Sequence, residues 1–431
     1  MKKSLQKILK SLAKAILAKY KPEVIGITGS VGKTGAKEAI YRVLSPKFNA
    51  RQSIKNYNNE IGVPLTVIGA LSPLSSPLGW LKIFLTAVRL LLKKDPNYPK
   101  ILILEMAADR PGDLDYLTDL ANCKIGLITS IGDSHMENYK SLENIKEEKA
   151  TLIRKLDKDG WAVLNIDDDK IKSITKETKA KVFTYAIDKE ADLIGKEIRL
   201  KFPSVGSAEK EAGLSFKLIN RGSFAPVFLS GIISKAGVYA CLAGAAVGII
   251  RGMNLVEISQ ALEKYKMPQG RMKFLPGIKR TFIIDDTYNS SPVSSALALE
   301  TLGSIAGAGD ARKYAVLGDM LELGALSESA HEAVGRLVVK NKIDKLIVVG
   351  ERSRDIARGA RAAGLEEDNI FHFADTAEAG KFLEERIKTG DIILVKGSQA
   401  TRMERVVKAI MAEPLRAGEL LVRQEREWTG K

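Results

Sequence analysis

The segment Thr28-Gly29-Ser30-Val31-Gly32-Lys33-Thr34 carries the residue types needed to hold the phosphates of a nucleotide. Gly29 and Gly32, with Ser30 and Val31 between them, let backbone N–H groups wrap phosphate oxygens. The Lys33 ammonium can reach the outer phosphates, and the Thr34 hydroxyl can ligate Mg²⁺. A β-rich run, Glu23 to Thr28, leads into this turn, and a helical pattern runs from Lys33 to Leu44 beyond it, the strand, loop and helix order that such a site requires. The usual spacing has one more glycine where this chain has Ile27. Kinases, motors, GTPases and ligases all use such a loop, so the reaction must be read from the rest of the chain.

Further apolar runs, Lys100 to Leu104, Ile125 to Thr129 and Trp161 to Asn165, alternate with helical segments. That alternation predicts a parallel α/β sheet, whose ligands lie at the carboxyl ends of the strands. Glu105 ends the first of these runs and His135 follows the second, so both are expected at that edge. From Ala191 to about Ile233 the pattern becomes strict alternation, which predicts a small antiparallel excursion, and Gly237 to Ile250 reads as a buried helix rich in Ala and Gly. A second α/β series follows in Thr281 to Ile284, Tyr314 to Leu317, Lys345 to Val349 and Asp391 to Val395. The expected organisation is a basic helix over 1–22, a central P-loop α/β domain over 23–269 and a C-terminal α/β domain over 270–431.

A chain of 431 residues is too long for a single binding module, and 45% apolar with 28% charged residues describes a globular protein. Its net charge of +15 favours anionic partners. Nucleic acid is not expected among them, because no helicase-like motif series is present and aromatics, at 6%, form no stacking stripe. Cys123 and Cys241 lie in apolar surroundings, which predicts reduced core thiols and a reducing, cytoplasmic compartment. The chain has no apolar run long enough for a transmembrane helix, and Lys7, Lys10, Lys14 and Lys19 break any signal-peptide core. Residues 1–20 instead form a basic amphipathic helix through Leu5, Ile8, Leu9, Leu12, Ile16 and Leu17. Docking on the following domain is the first expectation for it and peripheral contact with an anionic membrane the second. Trp80 to Lys94 poses the same choice, with packing favoured.

Several segments together resemble the Mur ligase family, most closely its MurF type: Ile27 to Thr34, Lys55 to Thr66, Leu104 to Leu117, Ser130 to Lys149, Gly270-Arg271, Ile284 to Pro292, Val316 to Gly324 and Val395 to Val407, in family order. The resemblance implies an ATP-dependent ligase with a Rossmann-like C-terminal domain. A substrate carboxylate attacks the γ-phosphate to give an acyl phosphate, and the amine of an amino acid or dipeptide then displaces phosphate. By the same resemblance Lys33 contacts the β- and γ-phosphates, Thr34 and Glu105 hold one Mg²⁺, and His135 and Lys149 serve a second, with Lys149 carried as a carbamate. Arg271 approaches the γ-phosphate, Asp286 the ribose, and Tyr288 and Asn289 the nucleoside. Asn58 and Asn59 fall on the substrate side, and His331 and Lys396 at the cleft.

The family pattern is not matched everywhere. Only Met1 to Pro22 precede the first strand, and a helix of that length is not expected to form the domain with which the MurF type holds its UDP-sugar. Gly35-Ala36, Ala107-Ala108, Ser234-Lys235 and Ser290-Ser291 replace family residues that carry other groups. The expected function is peptidoglycan-precursor ligation. A ligase acting on a polyglutamate or cyanophycin-like acceptor, or a non-catalytic ATP-binding scaffold, are the other readings. Sequence leaves the oligomeric state open.

Overall fold

The computed structural model describes residues 2–54, 57–133, 136–202, 212–306, 310–425 and 428. Helix α1 (Lys2–Tyr20) precedes β1 (Glu23–Thr28), α2 (Lys33–Leu44), β2 (Ala50–Gln52), α3 (Gly62–Ile68), α4 (Pro77–Leu92) and β3 (Ile101–Glu105). Then come α5 (Asp113–Leu120), β4 (Ile125–Ile128), α6 (Met136–Tyr139), α7 (Leu142–Arg154), β5 (Trp161–Asn165), α8 (Asp169–Ser173) and β6 (Lys181–Ala186). Strands β7 (Leu193–Lys201), β8 (Gly213–Asn220) and β9 (Ser223–Ser230) lead to α9 (Lys235–Ile250) and α10 (Leu255–Leu262). Among the described residues the first nine strands form one sheet, ordered β2-β3-β1-β4-β5-β6-β7-β8-β9.

The strands from β2 to β7 run parallel and β7-β8-β9 antiparallel, so the expected excursion extends the same sheet. The buried faces explain the two textures. Strand β3 is buried along its whole length because helices cover both sides, whereas β9 alternates exposed and buried residues because one side meets solvent. On one face α1, α3, α4, α5 and α7 share a core through Leu9, Ile16, Leu65, Ile83, Leu114 and Leu152. On the other, α2, α9 and α10 close over Ile25, Ile27, Ile103 and Leu127.

Helix α9 lies so near α2 that a Cβ on Gly244 would sit 2.9 Å from the carbonyl carbon of Ala39. Gly35, in the first turn of α2, has the Tyr265 hydroxyl 3.2 Å from where its Cβ would be. Against its helix-propensity cost of up to ~1 kcal/mol, Gly35 leaves room for the Tyr265 hydroxyl beside the first turn of α2.

A second sheet takes over after Gly270. It contains β10 (Lys273–Pro276), β11 (Phe282–Asp286), β12 (Lys313–Gly318), β13 (Lys345–Val349), β14 (Ile370–Phe373) and β15 (Ile392–Lys396), in the order β10-β11-β15-β12-β13-β14. Only β10 is antiparallel to its neighbour. Its helices are α11 (Pro292–Ser304), α12 (Ser327–Lys340), α13 (Arg354–Ala362), α14 (Thr376–Arg386), α15 (Glu404–Ile410) and α16 (Ala417–Leu420). They cover both faces, as a doubly wound Rossmann-like sheet requires.

Two amphipathic segments are expected first to pack, and the structure bears this out for α1 and, on one side, for Trp80 to Lys94. Leu9, Ala13 and Ile16 of α1 are fully buried in the core of the first sheet, so its apolar face is used in packing and cannot lie in lipid while the helix is docked. The segment Trp80 to Lys94 packs on one side only. Ile83, Ala87 and Leu90 point into the core, while Leu78, Leu81, Leu85, Val88 and Leu92 are exposed. Both cysteines are free and buried, as expected. Among the described residues no helix is long and apolar enough to cross a membrane.

Candidate functional site

The pairing of β1 with β3 sets the geometry of the site. Ile27 lies opposite Glu105 in that ladder, so the phosphate loop and the carboxylate leave the sheet side by side. Gly29 (φ 147°) and Gly32 (φ 90°) take backbone conformations that a side chain would resist, and a Cβ on Gly29 would fall 2.0 Å from the Thr129 hydroxyl. The loop is braced from the far side by the turn after β4. The Ser30 N–H donates to the Ser130 carbonyl (2.9 Å), and the Val31 N–H donates to Ser130 Oγ (2.8 Å). These two amides are therefore occupied, which leaves the start of α2, at Gly32, Lys33 and Thr34, as the end of the loop for an anion.

Thr34 Oγ1 donates to Glu105 Oε2 at 3.2 Å and Asn58 Nδ2 donates to Glu105 Oε1 at 3.2 Å, so both carboxylate oxygens are oriented. Lys37, one turn beyond Lys33 on α2, donates to the Ser53 carbonyl (2.8 Å) and lies 4.0 Å from Glu105. The sequence reading missed Lys37; its one-turn spacing from Lys33 was the available signal. Lys33 folds back so that its Nζ donates to the Gly29 carbonyl at 2.5 Å.

Burial pushes the Lys33 ammonium below the ordinary lysine range, against the pull of Glu105. Burial, helped by repulsion from Lys33, brings Lys149 of α7 down to about 7. Two desolvated lysines that repel each other at a glycine turn mark a place short of negative charge, which a polyphosphate would supply.

The second lobe reaches this place through Arg271, whose Nη2 donates to Thr34 Oγ1 at 3.4 Å while its guanidinium stacks 4.0 Å from the Tyr288 ring. The Tyr288 N–H donates to the Gly270 carbonyl (2.9 Å), which fixes the turn carrying Arg271. The parallel pairing of β11 and β15 sets Asp286 beside Lys396. The Lys396 ammonium donates to Asp286 Oδ2 (2.6 Å) and to the Asn289 carbonyl (2.9 Å). Arg423, also missed from sequence, donates to the Thr287 carbonyl (3.0 Å), to the Tyr288 carbonyl and to Glu404 Oε2 (3.0 Å), clamping the same loop from the C-terminal segment. Asn289 lines a cavity of about 310 Å³ together with Asp133 of the first lobe and Ser291, Glu322, Ser398 and Trp428 of the second.

Not every candidate joins these groups. His331 is buried in the second lobe, where Nε2 accepts from the Met320 N–H (2.9 Å), so Nδ1–H donates to the Ser327 carbonyl (2.6 Å). Burial holds that imidazole below its usual range and keeps it neutral. Asn59 Oδ1 accepts from the N–H of Ile61 (3.2 Å) and Gly62 (2.9 Å), and so braces the entry to α3. His135 lies outside the described residues. Among the described residues no three His, Cys, Asp or Glu side chains converge as a metal cluster. The Thr34–Glu105 oxygen pair nonetheless fits Mg²⁺, a hard cation that takes one or two protein oxygens and completes its shell with phosphate and water.

A P-loop sheet faced by a second, doubly wound lobe that sends an arginine to the loop defines a two-lobed α/β protein of the phosphate-binding class. The Mur ligase middle-domain family matches residues 85–246, and the family described as Mur ligase, glutamate ligase domain, matches residues 270–399. The UDP-N-acetylmuramoyl-tripeptide–D-alanyl-D-alanine ligase of Bacillus subtilis is 31% identical over 407 residues, covering 94% of this chain and 80% of the relative. The MurF ligase of Thermotoga maritima, solved in complex with ADP, superposes with a TM-score of 0.77 at 26% identity, over 94% of this chain and 83% of that one. MurF of Acinetobacter baumannii has the same fold, with a TM-score of 0.76 at 24% identity, over 93% and 79%. The chain belongs to the Mur ligase family.

Proposed function

We propose that this protein is an ATP-dependent amide ligase of the MurF type, acting on a peptidoglycan precursor in the cytoplasm. The observation that carries this reading is Arg271 of the second lobe reaching Thr34 of the phosphate loop, beside an oriented Glu105. Phosphoryl transfer needs cations on both sides of the transferred group, and here they come from two lobes. Names of relatives that share most of this chain's length support the choice of D-alanyl-D-alanine as amine and a UDP-sugar tripeptide as carboxylate. We read the chain as 1–22, 23–269 and 270–431; the change of sheet near Gly270 supports the last boundary, while α1 packs into the core of the first sheet.

A carboxylate oxygen of the first substrate attacks the γ-phosphorus, the bond to the ADP oxygen breaks, and an acyl phosphate forms. The amine nitrogen then attacks the acyl carbon, inorganic phosphate leaves, and the amine releases a proton. Lys33 and Arg271 neutralise the outer phosphoryl oxygens. Thr34 and Glu105 would hold Mg²⁺, which supplies further neutralisation, and Asn58 aims Glu105. Lys149, which burial makes about half neutral near pH 7, is suited to add CO₂ through its neutral amine, releasing a proton, and become the anionic carbamate that would join His135 at a second ion. Asp286, Tyr288 and Asn289 face the nucleoside. Lys396 positions Asp286, and Asn59 and His331 brace the loops they bond.

The test is phosphate release from ATP and Mg²⁺ with UDP-muramoyl tripeptide and D-Ala-D-Ala supplied separately and together. Release only with both substrates, abolished by Lys33→Ala and by Glu105→Gln, is the expected result. Turnover with a peptidyl carboxylate but with no UDP-sugar would replace the acceptor. ATP binding with no amine-dependent release would overturn the ligase.

A further inference from the structure

Helix α4 is amphipathic in an unusual sense: its polar side is narrow and both other sides are apolar. Ile83, Ala87 and Leu90 face the core, whereas Leu78, Leu81, Leu85, Val88 and Leu92 are between 43% and 82% exposed. At 3.6 residues per turn these five fall on one arc of about 80°. Leu71 and Leu74, in the turn before the helix, are also exposed and extend the patch. Scattered exposed leucines are ordinary, but a contiguous stripe of this length marks a surface that something covers.

The charges beside the stripe favour one occupant. Between Leu71 and Lys94 the chain has four basic residues, Lys82, Arg89, Lys93 and Lys94, and no acidic one. Lys82, Arg89 and Lys93 lie along one edge of the leucine arc, within about 60° of it. A second copy of the same face would set this basic edge against itself. An anionic lipid surface attracts it while taking the leucines into the acyl boundary.

The helix is also pre-formed. Ser76 caps its first turn by accepting from the Gly79 N–H (3.2 Å), with Pro77 at the first position. At its other end Lys19 of α1 donates to the carbonyls of Leu90 (2.9 Å) and Leu91 (2.7 Å), and the Tyr20 hydroxyl to that of Leu90 (3.0 Å). Docking therefore carries little ordering cost. From these observations we infer that α4 and the turn before it form the face by which this protein docks, peripherally, on an anionic membrane surface. Helix α1 is the brace beneath that face. The same element continues toward the candidate site, because the Ser72 N–H donates to the hydroxyl of Tyr57 (2.6 Å), next to Asn58.

Co-sedimentation of the full chain with vesicles tests this directly. With vesicles of phosphatidylcholine doped with phosphatidylglycerol at low salt, the protein is expected to pellet. Phosphatidylcholine alone should bind it at least about tenfold less, and added salt should reverse the binding. The double variant Leu81→Glu/Leu85→Glu should lose about tenfold or more in vesicle affinity, with melting temperature and turnover unchanged because both side chains are exposed. Lys82→Ala/Arg89→Ala should weaken binding to the anionic vesicles specifically. No pelleting of the wild type, or pelleting that the glutamate pair leaves intact, would overturn the inference. So would a dimer in light scattering that the glutamate pair dissociates without any effect on vesicles, since the face would then be a self-interface.

Discussion

Lys149 shows how a residue can cost the fold and serve the site. Its ammonium is buried, and burial with repulsion from Lys33 lowers its pKa from the ordinary lysine value to about 7. In the unfolded chain it keeps its proton up to about pH 10.5. Between these values only the unfolded state holds the proton, so stability rises with pH across that window and the penalty is complete below pH 7. Lys149→Met, measured in CO₂-free buffer, should therefore raise the melting temperature at pH 7 and below by the equivalent of a few kcal/mol, an advantage that fades toward pH 10.5. The same variant should lose ligase turnover. A stabilising substitution that inactivates separates a functional lysine from a structural one, and equal losses in both measurements would refute the role.

At the scale of elements, the phosphate loop depends on how α2 is held. Helix α9 presses Gly244 onto the backbone of Ala39, one face of α2, while the other end of α2 carries Lys33, Thr34 and Lys37. Gly244→Leu should destabilise the protein by about 1–3 kcal/mol through overpacking and shift α2, so that KM for ATP rises even where the protein remains folded. Denaturant unfolding and nucleotide titration of the same sample measure the two effects. Helix α1 makes a different prediction. Leu9 is fully buried, so Leu9→Ala should cost about 2–5 kcal/mol, the loss expected of a core leucine. A helix resting on lipid would show almost no change in solution.

For the whole molecule, the site exists only where two separately built lobes meet. Thr34 and Glu105 belong to the first lobe, Arg271 to the segment leading into the second sheet and Tyr288 to the turn after its strand β11. Nucleotide held by both should stabilise both, by ~2.7 kcal/mol at about 100 times its Kd. Arg271→Ala should shrink that stabilisation at fixed ADP concentration while lowering the stability of the free protein by only about 1 kcal/mol, because what it removes there is a long hydrogen bond (3.4 Å) and the stack on Tyr288 at the cleft. An undiminished nucleotide shift would place the nucleotide on the first lobe alone.

Local order was legible in the residues themselves. The glycine turn between a β-branched run and a helix, the apolar runs ending at Glu105 and near His135, and the alternation of β8 and β9 all follow from backbone freedom and from which faces meet water, properties that act over a few positions. Strands such as β2 and β14, short and only partly buried, left no such pattern.

Tertiary structure decided what joins residues far apart in the chain. It brought Arg271 to Thr34, Arg423 to the Tyr288 loop and Lys37 to Glu105. It turned His331 inward to a backbone amide, and it spent the amides of Ser30 and Val31 on Ser130. It also decided which of two amphipathic helices keeps a free apolar face. Periodicity states that a helix has an apolar side, but only packing determines whether protein or another surface covers it.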